Sequence, residues 1–171
     1  VDVRIGGFRV EKAPEGRGQR VLVKHEVDGK GYELRLSEES AGTQKLMGLA
    51  AFLLAALERG GTVVVDELDA KLHPKLLRYV ILLFKDPEVN KHGAQLIFSS
   101  QDVSTMRNDV FRRDEIWFAA RGEGEASQLW SLADIHEANG NLVSKNAAFD
   151  KQYLSGRYGA DPYLTRIEEW D

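Results

Sequence analysis

The chain reads as an α/β protein built on a partial parallel core sheet flanked by helices, with β-hairpins at its periphery. Three observations predict this. Thr62-Val63-Val64-Val65 is a short β-branched run that ends in Asp66 and Glu67. That is the pattern of a buried parallel strand delivering carboxylates to its C-terminal edge, where open α/β sheets place their ligands. Ahead of it, Leu46 to Leu57 is an Ala- and Leu-dominated run interrupted only by Gly48, which predicts a helix. Beyond it, Ala94 to Ser99 is a second core strand, with a helical stripe lying between the two.

The elements follow in order. Val1 to about Val10 forms a short strand or the tail of a preceding element, and Ala13 to Gln19, with Pro14, Gly16 and Gly18, is a mobile loop. Arg20 to Val27 and Tyr32 to Leu36 alternate as strands, joined by the hairpin turn Asp28-Gly29-Lys30-Gly31. Glu38 to Gly42 is a loop, and Thr43 to Arg59 is a helix closed by Gly60-Gly61. That helix is apolar around most of its circumference, so it is expected to be buried on several sides. Pro74 suits the first turn of a helix running to about Lys85, with Leu76, Leu77, Val80, Ile81 and Phe84 as its apolar stripe. His73 is read as helping to start that helix. Asp86 to Gly93 is a polar loop, and Ser104 to Phe111 a short helix. Glu115 to Ala119 and Gln128 to Leu132 pair as a hairpin across Arg121 to Glu125. Asn139 to Asn146 is expected to be mobile, and Phe149 to Leu154 and Leu164 to Trp170 to be short helices.

Composition narrows the function classes. At 171 residues one domain, 1–171, is expected, and the start at Val1 suggests a segment of a longer protein. The net charge of −4 gives no basic stripe of the kind nucleic-acid binding needs. Cysteine is absent, which excludes disulfides and thiolate zinc sites and fits a cytoplasmic setting. The four histidines lack ligand spacing. The apolar run falls short of the ~20 residues that span a bilayer.

Two segments carry chemistry. Asp66, Glu67 and Asp69, with Asp102 after the next strand, offer hard oxygen ligands of the kind that suit Mg²⁺. A solvated acidic turn is the plainer alternative. Ser40-Ala41-Gly42-Thr43 sets small residues and hydroxyls at a helix start, either as an anion-facing loop or as an ordinary N-cap. Gly156-Arg157-Tyr158-Gly159, between Tyr153 and Tyr163, is either a tight turn packed on the core or a contact for a partner or phosphate through Arg157.

The ordered set is more specific than its parts. Glu39-Ser40-Ala41-Gly42-Thr43, a helix, a strand ending Asp66-Glu67-Leu68-Asp69, then Leu72-His73-Pro74 and Gly156-Arg157-Tyr158-Gly159-Ala160 together resemble the C-terminal half of an ABC-type ATPase head. Within that class the chain is similar, from about Lys24 onward, to the AAA/ABC-like ATPases of prokaryotic abortive-infection and phage-defence systems, relatives of the OLD, RecF and SMC heads. Ser40 to Thr43 then looks like the signature motif, Val63 to Glu67 like Walker B, and Leu68 to Ala70 like the D-loop. The resemblance implies the C-terminal lobe of a P-loop NTPase, with ATP and Mg²⁺ as cofactors. It implies Asp66 as the metal residue and Glu67 as the group that polarises the attacking water. Ser40, Ala41, Gly42 and Thr43 would meet the nucleotide of the opposite subunit, with Asp69 and Gln101 sensing the closed interface. The implied partners are the N-terminal P-loop half of the same head, a second copy forming a homodimer, and an effector nuclease; no membrane is implied.

Two departures stand out. Gln101 occupies the place where family heads usually carry a His, and Gln cannot titrate near neutral pH. Nothing matches G-x-x-x-x-G-K-[ST]: Gly29-Lys30 is followed by Gly31 and preceded, five residues before Gly29, by Lys24. Two other classes fit parts of the pattern. A non-hydrolysing dimerisation or regulatory module would keep the fold, and a metal-dependent nuclease of the topoisomerase-primase type would use the acids directly.

Overall fold

The N-terminal sheet is organised by one two-residue turn. Strands β1 (Val3–Lys12), β2 (Gln19–Val27) and β3 (Lys30–Arg35) form an antiparallel sheet in sequence order. Asp28 and Gly29 both take positive φ, 49° and 76°, and Val27 pairs with Lys30 across them. Two left-handed residues match the right-handed twist of the flanking strands, so this is the expected hairpin turn. The β1–β2 register shifts between Ile5 and Gly7, where Gly7 takes a φ of 137°; such an irregularity bends the strand. Phe8, Val23 and Leu34 align across the sheet, with Val23 buried and Phe8 and Leu34 exposed.

This computed structural model describes residues 3–12, 18–121, 126–137 and 140–160. Most of the loop Ala13 to Gln19, the turn tip 122–125, Tyr163 and the helix expected at Leu164 to Trp170 lie outside the described residues. The chain divides into two compact units, Val1–Ser99 and Ser100–Asp171.

In the first unit, α1 (Ala41–Arg59) starts at Ser40, whose Oγ accepts a hydrogen bond from the Thr43 amide at 3.1 Å. It ends at Gly60, with φ 72°, where any Cβ would stand 2.3 Å from the His92 carbonyl oxygen, so only glycine fits. The helix buries one stripe, Leu53, Ala56 and Leu57, and leaves Phe52 and Leu54 exposed. Burial on several sides is thus not what the described residues provide. Composition states how apolar a helix is, while neighbours decide how much of it is covered.

After α1 comes β4 (Thr62–Val65), then α2 (Pro74–Lys85), then β5 (Gln95–Phe98), which pairs parallel to β4 with Thr62 opposite Gln95 and Val65 opposite Phe98. This is a β-α-β crossover. His73 caps α2: its Nδ1 accepts from the Lys75 amide at 3.1 Å. The polar loop after α2 is held by Asn90, whose amide donates to the carbonyls of Phe84 and Ala94 and whose Oδ1 accepts from the Ala94 amide. Val63 packs on Ala56, Leu57 and Ala94. The opposite face of this pair is bare: Val64 is 73% exposed and its neighbour Ile97 55%.

The second unit is built on β6 (Trp117–Arg121) and β7 (Ser127–Ser131), antiparallel, with α3 (Phe149–Leu154). Ile116, Phe118, Leu132, Val143, Phe149 and Tyr158 form its core. Phe118 stacks on Tyr153 at 5.7 Å between ring centroids and meets Tyr158 at 5.3 Å. The Gly156–Gly159 segment is therefore a tight turn that drops Tyr158 into the core, while Arg157 stays exposed.

Two expectations change here. The helix expected at Ser104 to Phe111 is instead a 3-10 turn, Val103–Thr105, followed by turns; Asp102 caps it through Ser104. Within the segment expected to be mobile, Val143 is buried and its amide bonds the Ile135 carbonyl at 3.2 Å. One apolar anchor outweighs its polar neighbours.

Tyr158 supplies a pH test. Burial pushes its phenol up to about 12, with Glu137 and Asp150 adding to the rise and Arg157 opposing it. A raised folded value means that the folded state keeps its proton longer, so this stability is complete below the ordinary value of 10.0 and is lost as pH rises through about 12. Tyr158→Phe should lose the Tyr158 hydrogen bond to Gln152 Oε1 (2.6 Å), and with it about 1 kcal/mol of stability at neutral pH. It should also flatten the fall at alkaline pH. Denaturant melts across the tyrosine titration range, compared with tyrosinate absorbance, check both.

Candidate functional site

The site is built where β4 ends. Asp66 and Glu67 are exposed there, and Leu68, next in sequence, is fully buried. Glu67 takes φ 48°, left-handed and rare for a residue with a side chain. Its conformation is held on three sides. Its amide donates to Ser99 Oγ at 2.7 Å. Its carbonyl accepts from Lys45 Nζ at 2.5 Å and from the Ala70 amide at 3.0 Å. The Leu68 amide then bonds the Ser99 carbonyl at 3.0 Å. Ser99 Oγ also donates to Asp66 Oδ1, so one hydroxyl joins both acids of the strand end.

The turn closes as it opens. Lys71 takes φ 65°, and the Leu72 amide bonds the Asp69 carbonyl at 2.9 Å, with Asp69 half-buried between. The start of α1 lies against this turn at both ends. Lys45 reaches the Glu67 carbonyl, and Gly42 packs so closely on the Lys71 carbonyl that a Cβ would stand 2.7 Å from its oxygen.

The Ser40–Thr43 segment is therefore a helix cap as well as a small-residue loop. Ser40 Oγ accepts from the Thr43 amide and shares a 2.9 Å hydrogen bond with Thr43 Oγ1; Ala41 is exposed. When Thr43 donates in that bond, the Ser40 proton points elsewhere and is available to an anion. Behind the loop, Glu39 bonds His25 Nε2 of β2 at 2.5 Å, both side chains largely buried, and Gln44 Nε2 donates to the Glu39 carbonyl at 2.8 Å.

Gln101 and Asp102 belong to the second unit. Gln101 is exposed, and Asp102 commits its carboxylate to Ser104. Among the described residues no three His, Cys, Asp or Glu side chains gather as a metal site of protein ligands alone requires. Within the first unit, Asp66, Glu67 and Asp69 do not gather as such a three-ligand site. Asp66 remains, exposed and hydrogen-bonded to Ser99. Mg²⁺ at nucleotide sites needs only one or two carboxylates beside water and phosphate oxygens, so this arrangement fits it.

A family model described as "AAA domain, putative AbiEii toxin, Type IV TA system" matches residues 3–107. The chain belongs to this AAA family. The matched span includes the Ser40–Thr43 loop, the Asp66–Glu67 strand end and Gln101, so the AAA domain's mixed α/β fold is that of a P-loop NTPase lobe of the AAA/ABC ATPase class. A solved structure from work on the "structural biochemistry of ATP-driven dimerization and DNA stimulated activation of SMC ATPases" is similar at 18% identity and a TM-score of 0.49, over 75% of this chain and 71% of that one. No curated protein matches the chain. No helix among the described residues of the AAA domain is long and apolar enough to cross a membrane.

Sequence reasoning missed Lys45, Ser99, His25 and Lys71. One signal was present for Lys45: it is the only charged residue between Glu39 and Glu58. Ser99 had a weaker one, standing at the end of the strand that neighbours β4.

Glycine contacts make the geometry testable. Gly42→Ala should destabilise the chain by about 1–3 kcal/mol, because the atom opposing its Cβ is backbone and cannot swing aside. Gly48, inside the same helix with open space around it, should accept alanine with a gain of about 0.5–1 kcal/mol. Paired urea melts should move in opposite directions.

Proposed function

We propose that this chain is the signature and Walker B lobe of an ABC-type ATPase head. ATP binds between this lobe and a P-loop half, and two such heads close on the nucleotide. The observation that carries the reading is the strand end itself: Asp66 and Glu67 exposed at the C-terminal edge of a parallel strand, with Glu67 held left-handed and the small-residue loop packed on the same turn. In this reading Asp66 holds Mg²⁺ through water. The Glu67 carboxylate accepts a hydrogen bond from the attacking water and draws off its proton. Ser40, Ala41, Gly42 and Thr43 face the γ-phosphate bound by the opposite copy, and Asp69 and Gln101 sense closure. The metal, when bound, neutralises charge developing on the phosphate oxygens.

The bare Val64–Ile97 face supports a missing half. Parallel strands are ordinarily covered on both faces, and among the described residues one face of this pair is covered. The toxin–antitoxin wording of the family description supports a defence role, in which ATP-dependent closure gates an effector, such as a nuclease, in the cytoplasm. The nuclease reading of this chain's own acids gains no support from their placement.

Two measurements test the proposal. The 171-residue chain alone should show no useful affinity for Mg·ATP in calorimetry, because the phosphate cradle supplies most contacts to the β- and γ-phosphates; tight binding by the chain alone overturns the need for a second half. With the P-loop half present, Glu67→Gln should lower turnover by about 10²–10⁴-fold, roughly 3–5 kcal/mol of barrier, while nucleotide affinity holds. Asp66→Asn should weaken Mg·ATP binding itself. Wild-type turnover in Glu67→Gln removes the catalytic assignment and favours a non-hydrolysing regulatory module.

A further inference from the structure

We infer that Lys45 is a positioning residue for Glu67: its ammonium holds the Glu67 backbone in the left-handed conformation and ties it to the helix that carries the Ser40–Thr43 loop. The inference rests on the proposed role of Glu67, but its structural half stands on geometry alone. Lys45 lies on the second turn of α1, partly buried, and its Nζ donates to the Glu67 carbonyl at 2.5 Å across 22 residues of sequence. A left-handed residue with a side chain reverts to a commoner conformation unless its surroundings over-determine it. Ser99 fixes the amide side of Glu67 through Oγ. Among the described residues the carbonyl side has Lys45 and the short-range Ala70 amide, 3.0 Å away. Without Lys45, the bonds among the described residues that still resist rotation about the Glu67–Leu68 peptide are those of the Ala70 and Leu68 amides.

The lysine's position gives the contact a second consequence. Gly42 and Lys45, one turn apart on α1, touch the carbonyls of the two left-handed residues Lys71 and Glu67. Movement of the loop's helix therefore moves both ends of the Glu67–Lys71 turn together. In the proposed head, the loop meets the nucleotide of one copy and Glu67 serves the other. Lys45 is then the bond through which engagement at one nucleotide adjusts the base at the second. Lysine chemistry suits such a link, because a charged donor on a long stem makes a charge-assisted hydrogen bond to a carbonyl while burying its methylenes against the helix.

The test has two arms. Lys45→Met keeps the stem and removes the donor; Lys45→Arg keeps a donor. In the nucleotide-free chain, Lys45→Met should speed amide exchange at Leu68 and Ala70 about tenfold, leave Leu53 and Leu57 amides unchanged, and be rescued by Lys45→Arg. Unchanged exchange at Leu68 and Ala70 overturns the inference. So does faster exchange throughout α1, which would mark Lys45 as a general packing residue. With the P-loop half present, Lys45→Met should lower kcat about tenfold while KM for ATP stays within about twofold, with Lys45→Arg recovering most of the rate. A raised KM at constant kcat would show Lys45 touching nucleotide directly and would also overturn it. If the wild-type head fails to hydrolyse ATP, the proposed function falls, and the exchange arm still decides whether Lys45 holds Glu67.

Discussion

The left-handed backbone of Glu67 is the constraint on which the site depends. Along β4 the side chains alternate, with Val63 and Val65 turned towards the helices and Val64 away. Continued alternation would turn Glu67 inward, where an unpaired carboxylate costs several kcal/mol or gives up its charge. The φ of 48° breaks the alternation at that residue: Asp66 and Glu67 both stay in solvent, and Leu68 enters the core with no exposure at all. The conformation itself costs about 1–3 kcal/mol. It is offset by the bonds to Ser99 and Lys45 and by burial of Leu68, so presenting the acids requires a local strain that three separate elements share.

Each of those elements comes from a different stretch of chain, which explains what the sequence could and could not show. The strand, its terminal acids, the α1 and α2 boundaries, the His73 cap and the Asp28-Gly29 turn were legible because each rests on neighbours within a few residues. The Ser99 and Lys45 contacts span 32 and 22 residues and follow no local pattern. The same limit misled the reading of Ser104 to Phe111 as a short helix, where the Asp102 side chain bonds Ser104 twice and fixes a single 3-10 turn. It misled Asn139 to Asn146 too, where composition pointed to mobility and Val143 is anchored in a core assembled from distant aromatics. Of the site, the residue types were readable and the clamp around Glu67 was not.

Gly42 shows how one residue can satisfy two requirements that sequence cannot separate. A small residue at a helix start permits close approach of an anion, which is how the motif reads in a linear pattern. In the folded chain the space is already claimed, because the Lys71 carbonyl sits where a Cβ would go. Intolerance of substitution at Gly42 is therefore no evidence for phosphate by itself. The distinction lies in which property fails first, folding or nucleotide-dependent closure, and the packing contact means that folding suffers with any larger side chain, charged or not.

The bare sheet face bears on the same question from the other side. Val64 and Ile97 are β-branched residues on adjacent parallel strands, and the polar edge that follows them holds Asp66 and Glu67. A pair of parallel strands gains little from facing water, since apolar side chains there forgo roughly 25 cal/mol for each Å² left uncovered. Thr62 and Gln95 open that face as a polar pair, so its apolar part is the Val64–Ile97 pair nearest the acids, and an element covering that pair would arrive beside Asp66 and Glu67. The chemistry proposed for Glu67 needs a phosphate held at that edge, and in that proposal the Val64–Ile97 pair is where a phosphate-holding half would seat.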